Sequence, residues 1–258
     1  MNNLDKYVSK INSSKIFRNQ QHEWLEIENF LSTDRIDNIL EEINNIQNKD
    51  NNSWIKYETP LENKMTNNTW NDFGPHLYQV FALLVNPDLV SSISKKFEVE
   101  LIPDVGLHGG GIHISRSGGR LDPHLDYAIH PKMDSLRYIN AILFLTSQGD
   151  DFNGGSLGFW NRASENIDPP FGEPDYKISP EAGKLILFNV SGYNWHGLCE
   201  DVSGGSRISL ASYYVTSKEN AKYKTTRSAA VFSATSEREI NSDVKDAQNK
   251  RLIKAGLK

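Results

Sequence analysis

The sequence predicts a mainly β fold with flanking helices, built on a jelly-roll or double-stranded β-helix core of the cupin-like kind. Three observations carry that reading. Beyond residue 100, short apolar runs follow one another, namely "GIHISRS", "RYINAILFL", "SLGFW", "KLILFNV" and "RISLASYYV", each of strand length. Glycine pairs at Gly118-Gly119, Gly154-Gly155 and Gly204-Gly205 punctuate them where hairpin turns are expected. Ahead of residue 100, by contrast, the apolar residues recur mostly with helical spacing.

Residues 1–22 are polar and lysine-rich without a clear period, so a loosely held arm is expected there. "EWLEIENFL" alternates like a strand. Ser32 is a good N-cap for "TDRIDNILEEINNI", in which Ile36, Ile39, Leu40 and Ile43 share one helix face. Residues 48–71, rich in Asn, Lys and Thr, are expected to form a long surface excursion anchored by Trp54, Tyr57 and Trp70, a candidate substrate loop. Two helices follow, "GPHLYQVFALLV" and, after the Asn86-Pro87 break, "DLVSSISKKF". Past Thr216 the chain is polar and charged, with a weak amphipathic helix near its end. The expected organisation is a single domain over 1–258: arm, strand and supporting helices in 1–99, the β-helix in 100–217 and a C-terminal extension in 218–258.

A chain of 258 residues is long enough to bury a substantial core. Its net charge of −5 supplies no general basic field, which excludes duplex nucleic acid as an expected partner and leaves only local basic patches. Cys199 is the single cysteine and cannot form an internal disulfide, and "MNNLDKYVSKINSSK" has no apolar run resembling a signal peptide. No stretch approaches the ~18 consecutive apolar residues of a spanning helix. A soluble, cytoplasmic protein with no membrane partner is expected.

The chemistry lies in His124, Asp126 and His196. An H-x-D pair on a strand sends both side chains to one face while Leu125 enters the other. A distant histidine then completes two imidazoles and one carboxylate, the facial set that holds non-haem Fe(II) and leaves positions open for oxygen and substrate. Arg207, eleven residues past His196, can hold the far carboxylate of 2-oxoglutarate with a bidentate fork, and Ser209 shares its strand face. His22, His76, His108 and His130 lack a second ligand at metal spacing and read as surface or hydrogen-bonded histidines. Trp195 reads as core, and Cys199 as a small apolar residue.

The run "LIPDVGLHGGGIHISRSGGRLDPHLDYAIHPKMDSLRYINAILFLT", continued by "GGSLGFW", "NWHG" and "SRISLASYYVT", resembles the prolyl 4-hydroxylase-like branch of the Fe(II)/2-oxoglutarate dioxygenases. The resemblance covers roughly residues 100–217, with a looser echo in "IENFLSTDRIDNILEEI". It implies a double-stranded β-helix, iron on His124, Asp126 and His196, 2-oxoglutarate on Arg207 with help from Ser209, O₂ as co-substrate, and ascorbate as a reductant. It also implies inward polar residues on the strands flanking H-x-D, here His113 or Ser115 and Asn140, as contacts to 2-oxoglutarate or substrate. Collagen-type prolyl hydroxylases use lysine where this chain has Arg207, so the sequence looks more like the arginine-using bacterial and viral-type members, and prolyl specificity does not carry over. The implied reaction is hydroxylation of an unactivated C–H bond, with succinate and CO₂ as co-products. The substrate is a prolyl or other peptidyl residue, or alternatively a small molecule, sugar or nucleotide-sugar. A non-catalytic β-helix scaffold holding a structural Zn²⁺ is the alternative of another class.

Overall fold

The computed structural model describes residues 3–49 and 53–258. Its elements run α1 (Asn3–Ser13), β1 (Ile16–Asn19), β2 (His22–Ile27), α2 (Thr33–Gln47), β3 (Ile55–Glu58), β4 (Glu62–Asn67), a 3₁₀ turn (Trp70–Asp72), α3 (Pro75–Leu84), α4 (Pro87–Phe97), β5 (Ile102–Pro103) and β6 (Gly111–Ser115). They continue with β7 (Arg120–Leu121), β8 (His124–Leu125), β9 (Ser135–Phe144), β10 (Leu157–Asn161), β11 (Tyr176–Ile178), β12 (Leu185–Asn189), β13 (Asn194–Leu198), β14 (Arg207–Ser217), β15 (Val231–Phe232) and α5 (Ser242–Ala255). The larger sheet follows the order β1-β2-β12-β9-β14-β6-β4-β3, and the smaller one β11-β10-β13-β8-β15. Neighbouring strands pair antiparallel, and the two sheets form a double-stranded β-helix.

Strand alternation divides the large sheet into two functions. Ile112 and Ile114 of β6, Ile139, Ala141 and Leu143 of β9, and Leu210 and Tyr214 of β14 face the helices and join the main apolar cluster. Their neighbours in sequence, His113 and Ser115, Asn140 and Ile142, Ser209, Ala211 and Tyr213, line a cavity between the sheets instead. A period of two thus buries the helices on one face and supplies functional groups on the other. Helix α2 sits on that outer face through Ile36, Ile39, Ile43 and Ile46. Ser32 occupies its N-cap in extended geometry but makes no side-chain cap bond.

The N-terminal segment departs from the expected loose arm. Helix α1 packs on α4 and buries Tyr7 and Ile11, four apart and therefore on one helix face. The sparse apolar residues of this segment hide the period, because only Leu4, Tyr7, Val8 and Ile11 carry it among lysines and serines. We expect Ile11→Ala to cost about 2–5 kcal/mol of unfolding free energy, as for other buried Ile truncations. A denaturant-midpoint change equivalent to less than ~0.5 kcal/mol, the level of a surface substitution, would contradict this packing.

Two further expectations are revised. The 48–71 excursion is a β3–β4 hairpin extending the large sheet beside β6, although residues 50–52 lie outside the described residues. The glycine pairs do not close hairpins: β6 and β7 are not paired, while β9 and β10, and β13 and β14, lie in different sheets. Gly154-Gly155 and Gly204-Gly205 lie where the chain changes sheet, while Gly118-Gly119 makes a local turn between two strands of the large sheet, with Gly119 N donating to Arg116 O at 2.6 Å. The C-terminal extension also contributes more than a weak helix, because β15 pairs with β8 (Phe232 opposite His124) and α5 packs beside it.

Candidate active site

Strands β8 and β13 bring the sequence-predicted triad together. His124 and His196 are directly opposite in register, and their rings are 4.3 Å apart. Asp126 follows β8, with Oδ1 at 3.6 Å from His124 Nε2 and Oδ2 at 4.0 Å from His196 Nε2. Leu125 points the other way, into an apolar cluster with Trp160 and the fully buried Trp195. Both histidines have their Nδ1 against a backbone carbonyl, His124 with Asp122 O at 3.0 Å and His196 with Asn194 O at 2.9 Å. A carbonyl only accepts, so each Nδ1 carries the proton and each Nε2 presents a lone pair toward Asp126.

Charge states suit a cation. Burial pushes the Asp126 carboxyl upward, but the neighbouring imidazoles of His124 and His196 and the Arg137 guanidinium outweigh that and hold it well below the usual carboxylate range. Burial, together with His124, lowers His196 to about 3, so its imidazole is neutral near pH 7. Asp126 Oδ2 is buried and meets no hydrogen-bond donor. Two imidazoles with Nε2 turned toward one buried carboxylate, in a single cluster, fit a divalent metal of the iron type.

Across the same cavity, Arg207 is opposite Ser115 in the β14–β6 register, and Ser209 is opposite His113. Arg207 is only 7% exposed, yet no acidic side chain pairs with it among the described residues, and burial alone lowers its pKa to about 10. Its one protein hydrogen bond runs from Nε to Gly155 O at 2.9 Å. Gly155 lies in the left-handed region (φ 69°), and a Cβ there would stand 3.0 Å from Arg207 Cδ. The glycine therefore gives the guanidinium its seat. Among the described residues His113 Nε2 and Asn140 Oδ1 meet no partner, while Asn140 Nδ2 donates to the Tyr213 hydroxyl at 3.1 Å. Burial, then the Lys64 charge, lowers His113 to about 3 and keeps it neutral.

Sequence reasoning missed the groups that brace Asp126. Arg137 is held between the rings of Tyr127 and Tyr213, 3.7 and 3.6 Å from their centroids, with Nη1 at 3.7 Å from Asp126 Oδ2. Its Nη2 donates to His108 O and to the Tyr127 hydroxyl. Strict alternation sends Arg137 and Asn140 to opposite faces. A bulge at Tyr138, visible where Val215 pairs with Arg137 but Tyr214 with Ile139, puts both on the cavity side. Arg227 donates to the Asp126 carbonyl at 3.2 Å and to Glu165 at 2.7 Å, bracing the backbone from the C-terminal extension.

His108 and His130 also differ from expectation, since both meet Asp104 in a second His/Asp group. His108 Nδ1 and His130 Nε2 each stand 3.2 Å from that carboxylate. This group is not built for a cation. His130 Nδ1 accepts the backbone N–H groups of Lys132 and Met133 at 3.1 and 3.0 Å, so its proton is on Nε2, the atom facing Asp104. The expected metal stoichiometry is one ion per chain by anaerobic equilibrium dialysis with Mn(II), and a second equivalent of similar affinity would overturn the proton assignment. His22, as expected, is a buried hydrogen-bonded residue, 3.0 Å from Trp160 O.

Residues 110–215 match the model of the 2OG-Fe(II) oxygenase superfamily. The chain carries a 2OG-Fe(II) oxygenase domain. No curated protein matches the oxygenase chain. Among solved structures, a Pseudomonas putida prolyl-4-hydroxylase aligns with TM-score 0.53 at 16% identity over 83% of this chain and 98% of its own. HygX from Streptomyces hygroscopicus, solved with nickel, 2-oxoglutarate and hygromycin B, aligns at 0.52 and 13% over 75% and 82%. A Trichoplax adhaerens prolyl hydroxylase in complex with a hypoxia inducible factor peptide aligns at 0.53 and 14% over 84% and 90%. At these identities the structural likeness is one of fold. The oxygenase is a dioxygenase that uses Fe(II), 2-oxoglutarate and O₂. Among its described residues no helix is long and apolar enough to cross a membrane.

Proposed function

We propose that His124, Asp126 and His196 hold the iron of this dioxygenase, and that Arg207 with Ser209 holds the distal carboxylate of 2-oxoglutarate. The observation that carries this reading is a buried guanidinium with no acidic partner among the described residues, facing the same cavity as the His/Asp/His cluster. A lone buried cation is costly unless an anion completes it, and the 2-oxoglutarate carboxylate has the charge and the planar geometry for a bidentate fork. A structural Zn²⁺ scaffold would leave that cation unexplained.

When bound, the iron with O₂ and 2-oxoglutarate supplies the oxidising power that converts a C–H bond to C–OH, releasing succinate and CO₂. The protein's part is positional. Backbone carbonyls fix both imidazoles in the tautomer that points Nε2 inward, and Arg137 and the Tyr213 phenol flank the Asp126 carboxylate. Burial holds Tyr213 well above its usual range, so its hydroxyl stays protonated there. His113, Ser115 and Asn140 offer polar atoms along the remaining wall, where they contact 2-oxoglutarate or substrate. Phe232 stacks on His124 and Phe188 packs edge-on to His196, which excludes water from the imidazoles' outer faces.

The cavity, about 650 Å³, must house 2-oxoglutarate and the reacting part of the substrate together. That volume suits a small molecule, or one side chain of a peptide whose flanks lie outside, as the hygromycin B and peptide complexes of similar folds illustrate. We favour the small molecule, because the cavity is lined by several directed polar and charged side chains, among them Lys64, His113, Asn140 and Arg251. We also read the chain as one functional unit, since β15 and α5 complete the cavity wall, and as a protein of a reducing compartment, in keeping with its single, partly buried cysteine.

The direct test is anaerobic addition of Fe(II) and 2-oxoglutarate to the purified chain. A visible metal-to-ligand charge-transfer band is expected, followed by succinate release on exposure to O₂. Absence of the band at saturating ligand would remove the assignment.

A further inference from the structure

The protein is acidic overall, with a net charge of −5, yet its cavity is not. The walls carry Lys64, Arg137, Arg207, Arg251 and Lys254 against only Glu62 and Asp126. Arg137 and Asp126 are engaged with each other at the triad, and Arg207 is taken by 2-oxoglutarate on the reading above. What is left is Lys64, Arg251 and Lys254 around one carboxylate, a surplus of two positive charges.

These groups form a cluster at one end of the cavity. Glu62, nearly buried, splits its oxygens between Arg251 Nη2 at 2.5 Å and Lys64 Nζ at 3.3 Å, and so holds two cations side by side. Lys64 sits over the Tyr57 ring at 5.2 Å, and Arg251 over the Phe232 ring at 5.2 Å. Phe232 in turn stacks on His124 at 5.1 Å, so one aromatic ring separates the Arg251 guanidinium from the triad. Lys254, three residues from Arg251 on α5 and therefore on a neighbouring part of the same face, makes no ion pair among the described residues. The field reaches inward, since the Lys64 charge helps to keep the His113 imidazole neutral.

We infer that this cluster binds the anionic group of the substrate, and that the substrate is a small molecule bearing a phosphate. A phosphate carries between about −1.5 and −2 at neutral pH, matching the surplus charge, and offers three acceptor oxygens that Lys64, Arg251 and Lys254 can share. Bound there, it would present a carbon a short distance away to the open side of the triad. The inference rests on the oxygenase reading above, and it adds the substrate class. A neutral prolyl peptide would leave the surplus positive charge of the cluster uncompensated.

Inorganic pyrophosphate is the probe, titrated calorimetrically into the full chain loaded with Mn(II) and 2-oxoglutarate. Lys64→Gln and Arg251→Gln are each expected to weaken its binding about tenfold. Glu62→Gln is expected to tighten it, because the substitution removes the competing carboxylate. If Glu62, Lys64 and Arg251 only latch α5 to the sheet, Glu62→Gln will instead weaken binding as the cation variants do, and the inference fails. It fails equally if pyrophosphate does not bind, if all variants bind alike, or if pyrophosphate abolishes the charge-transfer band of the Fe(II)/2-oxoglutarate complex, which would place the anion on Arg207. Failure of the band to form without pyrophosphate would instead implicate the oxygenase assignment itself.

Discussion

Asp126→Ala is expected to lower succinate formation by more than about 100-fold, beyond the upper end of what losing an outer-sphere partner of a metal ligand costs. The carboxylate is the sole anion in the proposed ligand set, and no described neighbour replaces it: His124 and His196 offer imidazole nitrogens, and Arg137, beside the carboxylate, is a cation. Truncation also leaves Arg137 buried without its acid, which costs stability. Asp126→Asn therefore accompanies it, because the amide keeps the volume and an acceptor oxygen while removing the charge. Both variants are expected to lose Fe(II) in equilibrium dialysis, and a folded Asn variant with full metal occupancy and turnover would sink the ligand assignment.

For Arg207 the expected effects have opposite signs. Arg207→Ala removes one side of a buried, charge-assisted carboxylate clamp, an interaction whose truncation costs about 2–5 kcal/mol, or roughly 30- to 5,000-fold in the 2-oxoglutarate requirement. Arg207→Lys retains the charge but not the planar fork and is expected to fall between the alanine variant and the natural chain. Stability in the absence of ligand moves the other way. Among the described residues the buried guanidinium has a single hydrogen bond and no counter-ion, and replacing buried charges by apolar groups of similar size is neutral or stabilising by about 1–4 kcal/mol. Arg207→Met is accordingly expected to melt at or above the natural chain without ligand and below it at saturating 2-oxoglutarate. A variant that is less stable in both conditions would show Arg207 to be structural instead of ligand-binding.

The parts of this site readable from the residue order are those that depend on a single strand. H-x-D spacing is enough to place His124 and Asp126 on one face, and R-x-S to place Arg207 with Ser209, because alternation is a local property of extended backbone. The positions of His113 and Asn140 were anticipated from resemblance, and the alternation of β6 and β9 puts them on the cavity face. Arg137 was hidden by one extra residue, since the bulge at Tyr138 inverts the face of everything before it. Helix α1 was hidden by composition, its apolar face being four residues wide in a lysine-rich stretch.

By itself, then, the sequence determined the β-rich core, the supporting helices α2 to α4 and the identities of four chemical residues, all of which follow from local periodicity and residue chemistry. Only the tertiary structure decided that β8 and β13 meet with the histidines in register, that Gly154-Gly155 and Gly204-Gly205 turn corners between sheets, and that Asp104 gathers His108 and His130. It likewise brought Arg251 of α5 to Glu62 and Lys64 of β4, across 189 positions of sequence, at one end of the cavity. Contacts of that kind depend on how separate strands and helices pack, and no pattern of a few consecutive residues encodes them.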